Sequence, residues 1–283
     1  MKKIIVGTDF SKTSAVALQY AVNIADKIEA SLILVHVVKD KDFESKEPLE
    51  KEKAGKKIEA GFTELIEKNA AGFKGEIETK IREGRVYQEI TNQARYSDAW
   101  MIITGAHGLS GFEEVWIGSH AYKIVSHAEC PVLTVRKSFD PEQGIARIVL
   151  PIDSTYETTQ KLPVAAEMAK LFNAEIHVVS LYSNLTHHTK EKVESNTREA
   201  VKHLTNNDIK YITKEMVSEN ITTSTLEYAT EINADLICIM TEQEFSPPNI
   251  FLGPYAQQMV NRSPIPVLSV RTRQVIDPSG IVE

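Results

Sequence analysis

The sequence has little cysteine, no long apolar run and no block of basic residues. Its two cysteines, Cys130 and Cys238, cannot form a disulfide framework, and each lies in or beside an apolar segment, which predicts buried free thiols. No apolar run approaches the length of a membrane span, and the apolar part of Met1–Gly7 is too short for a signal peptide. With a net charge of −7 and no Lys/Arg-rich block, we expect no nucleic-acid or membrane partner and a soluble, cytoplasmic protein.

Several segments of the chain recur in the same order, which indicates an internal repeat. The matched pairs are Ile4–Ser11 with Ile148–Ser154, Ala30–Val37 with Ala174–Leu181, Ala99–Ile103 with Ala234–Cys238, and Cys130–Arg136 with Ile265–Arg271. Ser138–Gly144, which contains a proline and a glycine, has the composition of a linker. The sequence therefore predicts tandem domains over residues 1–139 and 145–275, followed by a tail over 276–283.

Each copy alternates short apolar runs with segments of helical period, which predicts an α/β fold with a parallel sheet. Continuous apolar character suits strands that are buried on both faces. The first helix is predicted from apolar residues that start at Ala17, with Ser11 or Thr13 as its cap, and a further helix is predicted near Leu49–Asn69. The strands predicted for the first copy are Lys3–Gly7, Ser31–Val38, Glu76–Ile81, Trp100–Thr104 and Val132–Val135.

A glycine-rich stretch, Gly105–Ser119, stands between a predicted strand and a predicted helix. Strand, glycine-rich loop and helix N-terminus form an arrangement that binds phosphate, because unpaired backbone N–H groups and the positive helix end point at the anion. Glycine lets the backbone come close to a ligand, and Ser119 adds a hydroxyl donor. The alternative is a tight loop without a ligand. No Gly-x4-Gly-Lys-Ser/Thr motif occurs anywhere in the chain.

The chain resembles a tandem universal stress protein of the nucleotide-binding kind. The resemblance rests on Val6–Ser11, on Leu34–Val37, and on a Gly-x2-Gly-x9-Gly-Ser pattern that begins at Gly105 and ends at Ser119. It covers nearly the full length of both copies. It implies two doubly wound, five-stranded, Rossmann-like domains, similar to the adenine-nucleotide α-hydrolases, that bind ATP at the carboxyl ends of their strands. It also implies that the last strands of the two copies pair.

The resemblance assigns a role to individual residues of the first copy. Thr8 and Asp9 would lie under the nucleoside, with Asp9 near the ribose, and Val37 would offer backbone groups to adenine. The predicted nucleotide-binding set is Gly7, Thr8, Asp9, Val37, Thr104, Gly105, His107, Gly108, Gly118, Ser119 and His120. It would hold ATP, with or without Mg²⁺. No catalytic and no metal-ligating residue is predicted.

Alternatives stay open for three members of this set. Asp9 would equally serve as part of a helix cap. His107 is either a phosphate donor or an exposed loop residue, and His120 is either a phosphate neighbour or part of the helix surface.

The second copy departs from the pattern at the positions that would face phosphate. Met240, Gln243, Gly253 and Pro254 stand where the first copy has Gly105, Gly108, Gly118 and Ser119. Proline has neither an N–H nor a hydroxyl, and Glu242 and Glu244 add negative charge. Pro247 and Pro248 would stiffen the segment, and Asp153 is explained by helix capping. The second domain is therefore predicted to be empty of ATP.

The sequence leads to three hypotheses about function. The first is a nucleotide-dependent regulatory or stress-response module that hydrolyses ATP slowly if at all. The second is an α-hydrolase, whose Ser-Gly-Gly-x-Asp-Ser loop is replaced here by Gly7–Lys12. The third is a partner-binding scaffold that needs no nucleotide. The sequence predicts pairing of the two domains within one chain and leaves open a homodimer and the identity of any protein partner.

Overall fold

The computed structural model describes residues 1–39, 47–106, 119–136, 143–241 and 253–272, without the side chains of Pro48 and Ser119. Its strands are β1 (Lys3–Gly7), β2 (Ser31–Val38), β3 (Ile77–Glu83), β4 (Met101–Gly105), β5 (Val132–Val135), β6 (Arg147–Ile152), β7 (Glu175–Tyr182), β8 (Tyr211–Val217), β9 (Leu236–Thr241) and β10 (Val267–Arg271). Its α-helices are α1 (Lys12–Ile28), α2 (Pro48–Asn69), α3 (Val86–Tyr96), α4 (Ser119–His127), α5 (Leu162–Phe172), α6 (His187–Asn206), α7 (Ile221–Glu231) and α8 (Pro254–Arg262). A 3₁₀ helix covers Tyr156–Thr159.

All ten strands form one sheet in the order β3-β2-β1-β4-β5-β10-β9-β6-β7-β8. Neighbouring strands are parallel except at the centre, where β5 and β10 run antiparallel and Leu133 lies opposite Leu268. The α/β fold with five parallel strands in each half is confirmed. The expected pairing of the last strands is also confirmed, and it joins the N-terminal half (residues 1–136) to the C-terminal half (residues 143–272).

Helices cover both faces of the sheet. On one face, α1, α2, α5 and α6 pack over alternate strand residues such as Ile4, Val6 and Leu150. On the other face, α3, α4, α7 and α8 cover the intervening residues, for example Ile5 and Val149. Each apolar cluster contains residues of both halves, because the continuous sheet carries the core across the centre.

The helix that follows β1 begins where its sequence dictates. Ser11 is the N-cap, and its Oγ accepts a hydrogen bond from the Ser14 N–H at 3.2 Å. Ala17, Ala21 and Ala25 are buried at helical spacing against the sheet. The first of the two predicted caps is therefore confirmed.

The predicted bounds are confirmed for β1, β2 and β5 and are wrong by one or two residues for β3 and β4. Strand β3 lies at the edge of the sheet, and its side chains are mostly exposed. Its apolar pattern stops at Ile81, but its backbone continues to pair with β2 as far as Glu83 opposite Val38. Side-chain pattern therefore underestimates an edge strand whose hydrogen bonds depend on the neighbouring backbone.

Among the described residues, none of the helices has the length and apolar content needed to cross a membrane. Residues 137–142, which include most of the predicted linker Ser138–Gly144, lie outside the described residues, as do 107–118, 242–252 and the predicted tail 276–283.

Candidate functional site

The candidate site lies at the carboxyl ends of β1, β2 and β4. The chain moves outward from β1 to β2 and β3 and then returns to place β4 on the other side of β1, so the strand order reverses between β1 and β4. Such a reversal leaves a crevice outside the strand ends, where open α/β sheets bind ligands. Gly7 lies opposite Thr104 in this crevice, and the Thr8 N–H donates to the Val35 carbonyl at 2.9 Å.

The turn from β1 to α1 is held by its own side chains. Asp9 Oδ1 accepts from the Ser11 N–H at 3.1 Å, which closes an Asx turn just before the helix cap. Thr8 Oγ1 accepts from the Phe10 N–H at 3.0 Å and donates to Ser14 Oγ at 3.1 Å. The Thr8 hydroxyl therefore faces the helix, and Asp9 has a local role in shaping the turn.

Two glycines of the predicted set lie where helices touch the strand ends. A Cβ on Gly105 would be 2.8 Å from Thr13 Cγ2 and 3.3 Å from the Thr13 carbonyl carbon. A Cβ on Gly7 would be 2.8 Å from Ile90 Cδ1, at the far end of a flexible side chain. Gly105 is thus the more constrained of the two, because it allows the first turn of α1 to lie directly against β4.

The loop that follows β4 is described only at its ends. Gly105 and Ala106 precede it, and α4 starts at Ser119. His107, Gly108 and Gly118 lie outside the described residues, as do Glu242, Gln243, Glu244, Pro247 and Pro248 in the second half.

His120 stands in the first turn of α4, and its surroundings lower its pKa. The largest cause is the loss of hydration, followed by the positive charges of Lys39 and Lys123, while Asp9 acts in the opposite direction. Lys39, Asp9 and His120 follow three different strands, and the charges of Lys39 and Asp9 both act on the His120 ring. The lowered pKa favours the neutral form of that ring.

Sequence reasoning missed an aromatic cluster beside the turn, formed by Phe10, His36 and Phe62. The rings of Phe10 and His36 stack with centroids 4.7 Å apart, and Phe62 meets Phe10 edge-on at 5.3 Å. His36 Nδ1 lies 2.9 Å from the Thr8 carbonyl oxygen, and because a carbonyl only accepts, Nδ1 carries the proton. The available signal was a histidine next to Val37, but its partner is a main-chain atom that sequence does not reveal.

The second half has a different residue at the strand end that corresponds to the end of β4. Gly105 pairs with Val135 and Met240 pairs with Val270, so the two positions correspond in register, as the repeat predicted. Met240 is buried, and the helix after β6 starts late: the 3₁₀ helix Tyr156–Thr159 precedes α5. A buried side chain thus stands at the end of β9, where the first half has Gly105.

The second half also has a buried lysine, immediately before α5. Lys161 is 2 % exposed, and its Nζ donates to the Thr158 carbonyl at 2.6 Å and to Thr158 Oγ1 at 3.1 Å. Burial lowers the pKa of Lys161, whereas the nearby Asp153 raises it. Lys161 Nζ therefore donates to Thr158 within the 3₁₀ helix and lies close enough to Asp153 to be affected by its charge.

The turn in the second half is stabilised by polar groups. Asp153 Oδ1 accepts from the Thr155 N–H at 3.0 Å and from Thr155 Oγ1 at 2.6 Å. Asn196 of α6 donates to the carbonyls of Asp153 and Thr155 at 2.9 and 3.0 Å. Asp153 thus forms an Asx turn before the 3₁₀ helix, where a helix cap was expected. Pro254 begins α8 as Ser119 begins α4.

Both cysteines are free thiols. Cys238 is buried, and burial raises its pKa to about 12. Cys130 is only half-buried, with a pKa raised mainly by burial to about 11, so the prediction of buried thiols is confirmed in full for Cys238 alone. Within the described ranges, no group of three or more His, Cys, Asp or Glu side chains is placed to hold a metal ion.

Comparison with known proteins gives a consistent result. A family model described as "Universal stress protein family" matches residues 1–136 and again residues 144–271. Universal stress protein MJ0531 of Methanocaldococcus jannaschii is 31% identical over 145 residues, which are 48% of this chain and 82% of that protein. Universal stress protein Rv2624c of Mycobacterium tuberculosis is 30% identical over 181 residues, 62% of this chain and 64% of that protein.

A solved structure extends the similarity to both halves. The crystal structure of a universal stress protein from Archaeoglobus fulgidus covers 95% of this chain, and 98% of that chain is matched, with a TM-score of 0.75. Its sequence identity of 19% supports the shared fold alone.

Proposed function

The chain belongs to the universal stress protein family, and we propose that its N-terminal half binds ATP and acts as a nucleotide-dependent regulatory or stress-response module. The observation that carries the proposal is the close packing at the end of β4. Gly105 has no room for a side chain there, and α4 starts from Ser119 after a loop with the Gly-x2-Gly-x9-Gly-Ser pattern. This combination occurs at the strand-order reversal of one half only.

The proposed roles follow from position and charge. The first turn of α4 provides unpaired N–H groups and a positive helix end for the phosphates. The predicted loop residues Gly108, Gly118 and His107 would add to this cradle. Asp9 would contact the ribose and Val37 the adenine, because both stand at the carboxyl edge of the sheet next to the crevice. Lys39, whose positive charge acts on His120, adds cationic character that suits a polyphosphate, and the neutral His120 ring can donate one N–H.

We propose no protein side chain as a ligand of Mg²⁺. Asp9 is the one carboxylate that we place in the site from the described residues, and its Oδ1 closes the Asx turn. Mg²⁺ keeps several waters and is commonly bound through the phosphates of a nucleotide. We therefore expect the ion, where present, to accompany ATP.

We propose that the C-terminal half does not bind ATP. Buried Met240 stands at the strand end where the N-terminal half has Gly105, and Lys161 is buried just before α5 with Thr158 as its partner. Pro254 removes an N–H from the first turn of α8. Both the space and the donors are therefore reduced relative to the N-terminal half.

Thermal unfolding with and without ATP tests the proposal. Ligand at 100 times its dissociation constant stabilises a protein by about 2.7 kcal/mol. Ser119→Pro should abolish this gain, because it removes a donor N–H and a hydroxyl at the start of α4. The substitution should leave the fold intact, since α8 already begins with proline at the corresponding residue and proline suits the first helical position.

Pro254→Ser is the matched control and should retain the full ATP response. Isothermal titration should give one site per chain, and ATP released on denaturing the purified protein would give direct support. Failure of the wild-type protein to bind ATP or ADP would contradict the proposal. An unchanged response in Ser119→Pro would show that the phosphates bind elsewhere.

A further inference from the structure

The side chain of His36 joins two parts of the candidate site. It stands in β2 between Val35, whose carbonyl accepts from the Thr8 N–H, and Val37, the proposed adenine neighbour. Its Nδ1–H donates to the Thr8 carbonyl at 2.9 Å. Both backbone polar groups of Thr8 are thus held by β2, one by the main chain and one by the His36 ring. The residue that follows Thr8 is Asp9.

The backbone after Asp9 depends on ring packing. Phe10 has φ of 62°, a left-handed conformation that is unfavourable for a residue with a side chain. Stacking on His36 and edge contact with Phe62 offset that cost. Gly61 of α2 makes room for the arrangement, because a Cβ there would be 3.2 Å from the Phe10 ring. The left-handed residue leads directly into the Ser11 N–H that holds Asp9 Oδ1.

The C-terminal half provides an internal comparison. Lys3 pairs with Ser31 and Arg147 pairs with Glu175, so His36 corresponds in register to Ser180. Ser180 Oγ bonds to Thr197 Oγ1 at 2.8 Å. Its half keeps the Asx turn by means of Asn196 from α6. An Asx turn therefore forms on this fold without a histidine or an aromatic cluster, and the histidine occurs in the half with the glycine loop.

We propose that His36 is a positioning residue of the nucleotide site, which fixes Asp9 for the ribose by donating Nδ1–H to Thr8 and stacking on Phe10. The proposal rests on the proposed function, because it requires that ATP bind at this site. His36 acts through the turn, and its own side chain does not contact the nucleotide. Its loss should affect ribose recognition more than phosphate binding.

The test compares variants that separate the two contacts. His36→Phe keeps a ring for stacking and loses the donor, whereas His36→Asn keeps an amide donor near the position of Nδ1. For each protein we would measure unfolding without ligand and the dissociation constants of ATP and 2′-deoxy-ATP. The ratio of the two constants reports on the ribose, and a general loss of stability would not change it. Ser180→Ala is the control in the second half.

We expect His36→Phe to weaken ATP binding roughly tenfold, as loss of about 1.4 kcal/mol would, and to bring the ATP/2′-deoxy-ATP ratio close to one. His36→Asn should stay within about threefold of the wild-type protein for both ligands. Asp9→Ala should remove the discrimination by itself, and adding His36→Phe should then change the ratio no further.

Wild-type affinity and wild-type discrimination in His36→Phe would overturn the inference while leaving the proposed function in place. An equal loss for both ligands in that variant would also overturn it, since His36 would then serve the fold alone. Absence of ATP binding by the wild-type protein would overturn the proposed function and this inference together.

Discussion

The corresponding first helices of the two halves end on residues in the same unusual conformation. Glu29 ends α1 with φ of 51°, and Asn173 ends α5 with φ of 52°. Both are exposed, and in both the backbone N–H bonds back into the last turn of its helix. Asparagine adopts left-handed backbone angles more readily than glutamate does, because its short polar side chain bonds locally. The N-terminal half therefore has the residue that is less favourable for this backbone conformation.

Exchanging the two residues should shift stability in opposite directions. We expect Glu29→Asn to raise the free energy of unfolding by about 0.5–1 kcal/mol and Asn173→Glu to lower it by a similar amount, a part of the left-handed penalty. Urea denaturation at constant pH would measure both. A stabilising Asn173→Glu, or two changes of the same sign, would show that the backbone angle does not control these positions.

At the scale of single residues, the sequence predicted which residues occupy corresponding positions better than it predicted their contacts. It predicted that Met240 stands where Gly105 stands, and the ladder register confirms that correspondence because strand position follows directly from the repeat. It did not predict that His36 binds the Thr8 carbonyl, since main-chain partners leave no mark in the side-chain pattern. Nor did it predict the burial of Lys161, which bonds to Thr158 in the 3₁₀ helix Tyr156–Thr159.

Strands and helices differ in how well their ends can be predicted. The bounds of β1 and β2 follow from apolar runs, because both strands lie inside the sheet and are largely buried. Helix α1 begins at Lys12, whereas its counterpart α5 begins only at Leu162, after the 3₁₀ helix. In the first half, α1 lies against Gly105 at the end of β4, and a contact between elements of this kind cannot be read from the repeat.

The start of α1 should therefore respond to the residue at position 105. In Gly105→Met the new side chain would overlap Thr13, and a poorly accommodated larger side chain typically destabilises by about 1–3 kcal/mol. We expect faster hydrogen exchange at the amides of Ser14 and Ala15, because the first turn of α1 must move away from β4.

Gly72→Ala is the control for that substitution. No atom lies within 4 Å of a Cβ at Gly72, so the alanine should leave the exchange of α1 unchanged. If Gly105→Met leaves the amides of the first turn as protected as in the wild-type protein, the contact between Gly105 and Thr13 does not determine where α1 begins.

At the scale of the whole molecule, side-chain contacts join the two halves in addition to the β5–β10 strand pair. Beside the β5–β10 ladder, Thr134 Oγ1 donates to the Val267 carbonyl at 3.3 Å. Lys2 pairs with Glu167, and Trp100 Nε1 donates to the same carboxylate at 3.3 Å. Each strand edge at the centre is covered by the other half, which removes the unpaired edge that an isolated copy would expose. The tandem arrangement predicted from the repeat thus forms one continuous sheet whose two apolar clusters both cross the centre.

A ligand that binds one half should consequently stabilise both. Because the two apolar clusters each cross the centre, we expect the ligand-free chain to unfold in a single calorimetric transition. ATP at 100 times its dissociation constant should raise the midpoint of that transition as a whole by about 4–5 °C, from the linkage energy and the size of the chain. Ser119→Pro should show the same single transition without the shift. Two resolved transitions, of which ATP moves only one, would show that the halves are energetically independent despite their common sheet.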